Sequence, residues 1–309
     1  MALQKIGQGY EARWNDATFQ YHIVQSNGDG TETDLGAVVG ATRPLGLEIQ
    51  KGNVTGHSGV NKFGAAHDFD TGDGEVLVWD ASDDSITYDN NDASKYLAAT
   101  WSASSTADIG LMSSDAAGVQ TIEIQGIGSD DALLVQTFTL NGTTDVDFTA
   151  EGGSDYKRIF RMKNTGTTDL GGHVWVRVNG SAQDVGTAGI PGDAATIRGM
   201  IHEENNQTEM AVYTVPTAKM AYIGKVYATT TGGRRATNYI VRTFARPSGG
   251  VFQLKYKCSI SDDSPNVSQY DLPLAFAAKT DIVITAETTE NSVVGSSVIA
   301  GFDLILVDD

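Results

Sequence analysis

The stretch Val251–Ile260, VFQLKYKCSI, decides the fold. Phe252, Leu254, Tyr256 and Cys258 occupy every second position, with Gln253, Lys255 and Lys257 between them. A period of two collects the apolar set on one face of a β-strand, which a helix of 3.6 residues per turn would not do. The pattern predicts that this face, including Cys258, is buried. Just upstream, Tyr239–Ala245 (YIVRTFA) carries the same β-branched and aromatic alternation, and Arg246-Pro-Ser-Gly-Gly250 joins the two as a tight connection.

The same texture extends in both directions. Gln120–Gly126 (QTIEIQG), Leu133–Leu140, Lys157–Lys163, Val174–Val178 (VWVRV), Gln207–Val215, Lys219–Thr229, Asp281–Glu287 and Val298–Val307 all read as strands. Glu75–Trp79 and Tyr96–Ser102 are further candidates, and Asn141-Gly142 and Asp115–Gly118 are turn signals. Residues 1–75 differ in texture, being Gly-rich with few long apolar runs. They contain a strand candidate, Thr18–Val24, and a turn, Ser26–Thr31 (SNGDGT), suited to a hairpin. The glycines from Leu45 to Gly64 are spaced too closely for a helix to be expected there. The predicted fold is therefore all-β: a Gly-rich N-terminal region (1–75) followed by two antiparallel, jelly-roll-like β-sandwich domains (76–185 and 186–309).

Composition narrows the function. With 39 acidic and 21 basic residues the formal net charge is -18, a field that repels a phosphate backbone, so nucleic acid is not an expected partner. Lys157-Arg158 with Arg161 reads as an exposed strand face and Gly233-Arg234-Arg235 as a hairpin tip. Neither the opening residues, MALQKIGQGYEARWND, nor any later window has the apolar run of a signal peptide or a membrane span. Cys258 is the only cysteine, so no intrachain disulfide can form and stability must come from packing or oligomerisation.

Searching for chemistry leads to an expectation of no enzyme: no catalytic, cofactor-binding or metal-binding residue is assigned, and no cofactor is expected. The acidic loop Asp68–Glu75 places glycine and aspartate where a calcium loop of the EF-hand type needs the reverse, so it reads as an acidic turn. Asp83-Asp84 and Asp89–Asp92 read the same way. His22, His57, His67, His173 and His202 show no metal-ligand spacing. Gly7-Gln-Gly9 and Gly28-Asp-Gly30 lack the remainder of a phosphate-binding motif, and no serine lies in a G-x-S-x-G frame. Trp14, Trp79, Trp101 and Trp175 could stack on sugars but fit cores or interfaces better.

Set side by side, Lys51–Gly64 (KGNVTGHSGVNKFG), Glu75–Asp80 (EVLVWD), Thr121–Gly126, Leu140–Thr144 (LNGTT), Met210–Pro216 (MAVYTVP), Ala221-Tyr222, Lys279–Ile282 (KTDI) and the ending GFDLILVDD resemble virion structural proteins of tailed bacteriophages, of the kind abundant in marine phages. The resemblance implies a high-copy capsid decoration (cement) subunit or a tail or neck accessory such as a fibre, located on the virion and made in the host cytoplasm. It implies symmetric assembly as a homo-oligomer, a trimer or ring, with the major capsid or neck and tail proteins as further partners and a host surface glycan as an optional one; no membrane is involved. Residues 1–75 would be the docking anchor, and the loops Thr229–Ala236 and Ser261–Gln269 an outward tip. The alternative from another class is a carbohydrate-binding adhesin or a carbohydrate-active surface protein.

Overall fold

The computed structural model describes the backbone of residues 4–7, 10–15, 20–26, 32–37, 45–67, 74–79, 109–153, 156–178, 189–191, 197–203, 205–232, 238–261, 265–288 and 296–309, with side chains from Gly46 onward. The chain divides into two compact units, residues 1–59 with 305–307, and residues 60–304 with 308–309.

In the first unit, β1 (Gln4–Gly7), β2 (Tyr10–Asn15), β3 (Gln20–Ser26) and β4 (Glu32–Ala37) pair in sequence order as an antiparallel meander. The hairpin expected around the SNGDGT turn is present, with Ser26 opposite Glu32. One expectation fails: a short helix, α1 (Leu45–Gln50), stands where glycine spacing argued against one. Its end explains how it survives. Gly52, at φ 73°, donates its N–H to Ile49 O at 2.9 Å and Asn53 donates to Glu48 O at 2.9 Å, a Schellman closure that only needs one well-placed glycine.

The second unit is nearly all β and antiparallel, as predicted. It begins with β5 (His57–His67), of which the residues from Val60 belong here, and β6 (Val76–Leu77). Seven strands follow: β7 (Ile109–Ser113), β8 (Thr121–Gly128), β9 (Leu133–Thr139), β10 (Val146–Asp147), β11 (Tyr156–Asn164), β12 (Val174–Val178) and β13 (Ile197–Ile201). The chain closes with β14 (Val212–Thr214), β15 (Lys219–Gly232), β16 (Asn238–Arg246), β17 (Gln253–Ser261), β18 (Asn266–Phe276), β19 (Asp281–Thr288) and β20 (Ser296–Asp308).

Strand pairing shows how these are organised. One sheet runs β5-β20-β15-β18, and a second runs β14-β19-β16-β17 with β6 also on β19. Counting β5, β6 and β15–β20 as eight strands, the first pairs with the eighth, the second with the seventh, the third with the sixth and the fourth with the fifth. That is a long hairpin rolled into two sheets, the arrangement of a jelly roll. Strands β7–β13 form a separate pair of sheets, β10-β7-β12-β13 and β11-β8-β9, inserted between β6 and β14.

The insertion leaves and returns at one place. Trp79 bridges Met210, Val78 N–H donates to Ile284 O at 3.0 Å, Ala211 N–H to Val78 O at 2.9 Å, and Ile284 N–H to Ala211 O at 3.1 Å. The two sandwiches read from sequence are thus nested, whereas the reading had placed them end to end. The expected divide at 185 falls between β12 and β13, which pair through Trp175 and Met200, and the divide at 75 falls between β5 and β6 of the jelly roll. Apolar alternation marks strands but carries no information about partners, so the nesting is not legible in it. Strands β7 and β13 were not anticipated: both carry glycine and methionine among few β-branched residues.

The two jelly-roll sheets meet at Gly64 on β5. A Cβ there would lie 2.1 Å from Val78 O and 2.5 Å from Ala211 N, so the position tolerates only hydrogen. In these sheets and the segments beside them, Ala65, Ala66, Leu77, Ala211, Val283, Ile284, Phe302 and Leu304 are buried. Gly224 on β15, by contrast, has open space around its Cα. In the inserted sandwich, Arg177 on β12 is fully buried and ion-pairs with Asp145 at 3.1 Å. Burial pushes the Asp145 carboxyl above its ordinary range, more than Arg177 lowers it.

Two stability predictions follow from these contacts. Gly64→Ala should cost about 3 kcal/mol or more through overpacking, while Gly224→Ala should stay within about 0.5 kcal/mol of the parent, both read from urea midpoints. Arg177→Ala should cost about 3–5 kcal/mol at neutral pH by leaving a buried carboxylate unpaired. Because the folded pKa of Asp145 lies above its unfolded value, protonation favours the folded state in acid, and that contribution vanishes as pH rises past the folded pKa. The loss in Arg177→Ala should therefore shrink as pH falls; an equal loss at acid and neutral pH would contradict this assignment.

Candidate functional site

Strands β17 and β18 each pair on one side only among the described residues, β17 with β16 and β18 with β15, and they lie at the same open margin of the two jelly-roll sheets. The corner is held by Tyr256, whose hydroxyl bonds to Asn266 Oδ1 at 2.5 Å and Ser268 Oγ at 2.7 Å, and whose ring meets Tyr270 edge-on at 6.4 Å. Desolvation of this cluster pushes the Tyr256 hydroxyl up to about 12.

Here the opening prediction is corrected. Of the face expected to be buried, Phe252, Tyr256 and Cys258 are only half-buried and Leu254 is 51% exposed. On β18, Val267 is 61% and Leu272 86% exposed, and Val251 is exposed in the connection before β17. The alternation asks for a covering layer, and none is supplied among the described residues. Burial raises the Cys258 thiol above its usual value, so the thiolate needed for nucleophilic chemistry is disfavoured. The long polar loop read at Ser261–Gln269 is mostly strand, since β17 runs to Ser261 and β18 begins at Asn266. Of Thr229–Ala236, residues to Gly232 belong to β15 and the rest lie outside the described residues.

A second feature is charged. Where the inserted sandwich meets the jelly roll, a cleft of about 290 Å³ is lined by Asp131, Lys157 and Arg158 from the insertion and by Arg246, Lys279 and Asp281 from the jelly roll. Asp131 pairs with Lys157 and, at 3.0 Å, with Lys279; Asp281 pairs with Arg246 at 2.6 Å and Arg158 at 3.5 Å, and accepts from Thr214 Oγ1 at 2.7 Å. Burial works to raise Asp131, but hydrogen bonds and charge from Lys157 and Lys279 outweigh it and hold the carboxyl low. The exposed strand face expected of Lys157 and Arg158 is thus a partly buried ion cluster. Sequence reading missed it because Asp131 and Asp281 stand 150 positions apart.

Other candidates separate. His67 lies 2.5 Å from Ser297 Oγ and 3.9 Å from Glu209, and the His173 and His202 rings meet edge-on at 5.1 Å. His57 Nδ1 is 3.0 Å from Thr55 O. Among the described residues no three His, Cys, Asp or Glu side chains are grouped to hold a metal. Trp79 and Trp175 are buried, so neither is available to stack on a sugar. Glu75, the last residue of the acidic loop, accepts from Thr285 Oγ1 at 2.5 Å and lies 3.3 Å from Arg242. Asp68–Asp73, Asp83-Asp84, Asp89–Asp92, Trp101 and the side chains of Trp14 and His22 lie outside the described residues. No helix among the described residues is long and apolar enough to cross a membrane.

No protein-family model matches the chain, and no curated protein is similar to it. Among solved structures it shows weak similarity to infectious bursal disease virus: the Gx strain (10% identity, TM-score 0.22), the T13 viral particle (9%, 0.23) and the VP2 subviral particle (9%, 0.20). In each case 93% of this chain is covered, and the chain spans 62–64% of the length of the protein it matches. At such identities and scores the likeness carries no weight for function.

Proposed function

We propose that this chain is a non-enzymatic structural subunit of a virion that works by assembling with copies of itself. The observation that carries the reading is the uncovered β17–β18 margin. A strand with strict apolar alternation and an open hydrogen-bonding edge is an association surface unless something covers it. A second copy fits the margin: exposed Lys255 and Lys257 on β17 stand out on a chain of net charge -18, and β18 presents Asp271 beside Leu272. Edge β17 of one copy against β18 of the next would bring lysines towards Asp271, the one carboxylate of β18, and extend the sheet past the exposed Leu254 and Leu272. Such a contact is heterologous, and a ring or trimer is the closed assembly it forms when the rotation between copies closes. The jelly roll itself recurs in viral capsid and lectin domains, and the sequence resemblance to tailed-phage virion proteins favours the first of these. A position on the particle exterior, as capsid decoration or as a neck or tail accessory, completes the proposal. The anchoring role belongs to residues 1–59, because β5 is part of the jelly roll and a truncation through residue 75 would remove it.

Light scattering after gel filtration should find an oligomer for the parent chain, and Leu254→Lys with Leu272→Glu should reduce it to a folded monomer. Gold-labelled antibody should decorate intact particles of the source virus. A parent chain that stays monomeric at every concentration and leaves particles unlabelled would overturn the reading.

A further inference from the structure

We propose that the cleft between the inserted sandwich and the jelly roll binds a small oxyanion, as phosphate, as sulfate or as the carboxylate of an acidic sugar. Four cationic side chains converge there, Lys157, Arg158, Arg246 and Lys279, against two carboxylates, Asp131 and Asp281. The surplus of two positive charges sits within a chain of net charge -18, so it is a local property and not an extension of the surrounding field. Four cationic groups gathered around only two carboxylates keep donor capacity for an entering anion, which competes with Asp131 and Asp281 for them.

The backbone supplies an independent observation. Asp131 and Lys279, which pair with each other, both adopt φ 64°, a left-handed conformation that lysine rarely takes. Strain of this kind gathers where a site must hold its groups in place. The location agrees as well, since ligand sites favour the junction of two domains. At about 290 Å³ the cleft admits a small anion or one sugar ring and no longer polymer segment. The cluster also ties the insertion to the jelly roll, and an ion bound there would tighten that tie.

Isothermal titration of the full chain with sodium phosphate, sodium sulfate and sodium glucuronate, each against chloride at matched ionic strength, tests the proposal. Saturable binding of phosphate or sulfate alone supports an inorganic ion; binding of glucuronate supports an acidic sugar. Lys157→Gln and Lys279→Asn should each weaken binding about ten-fold, and Asp131→Asn, which removes a competing carboxylate and keeps a residue tolerant of positive φ, should tighten it about ten-fold. Lys157 and Lys279 are 36% and 41% exposed, so their variants should fold, which a thermal melt checks. A cluster that serves only as a tie would lose stability in Asp131→Asn without gaining affinity. Absence of saturable binding to all three anions, or affinities unmoved by the three variants, would overturn the proposal.

Discussion

The structure depends on a single backbone junction. Val78, Ala211 and Ile284 come from three distant parts of the chain and hydrogen-bond to one another at 2.9–3.1 Å, with Gly64 of the opposite sheet pressed against them. The junction lets the chain leave the jelly roll at β6, build an entire second sandwich, and resume at β14 along the same edge of β19. Because departure and return are neighbours, the insertion costs the jelly roll no pairing along β19. Every contact that makes this possible is long-range, so forming it carries the loop-closure entropy that slows folding.

From that arrangement the positions of the charged cleft and the open margin follow. The inserted sandwich rests on the jelly roll through β11, where Phe160 packs on Tyr213, Met162 bonds with Thr208, and Lys62 donates to the Phe160 carbonyl. The charged cleft opens beside this contact. At the other margin, β17 and β18 have no layer over them among the described residues, and their apolar face is only half covered. On the proposed reading, a subunit built this way completes its core by association.

Much of the strand set could be read directly. The runs at β8, β9, β11, β12, β15, β16, β17, β19 and β20 announce themselves by alternation, and the β16–β17 hairpin by Arg246-Pro-Ser-Gly-Gly250. Nesting could not be read, since nothing in EVLVWD or MAVYTVP says that Trp79 and Met210 are partners. Nor could the ion cluster, which joins a turn residue, Asp131, to Lys279 in another turn. The most useful difference concerns Cys258: alternation predicts a buried face, and among the described residues that face is only half covered, with Leu254 51% exposed. That mismatch between pattern and exposure is the observation on which the proposed self-assembly rests.

Hydrogen–deuterium exchange of the parent chain, compared between dilute and concentrated solution, tests self-assembly through this margin most directly. Amides of residues 253–261 and 266–276 should gain protection selectively as concentration rises, while those of β5 and β19 stay protected throughout. Exchange at β17 and β18 that is fast and independent of concentration would contradict the account, because it would leave the apolar face uncovered in every state of the protein.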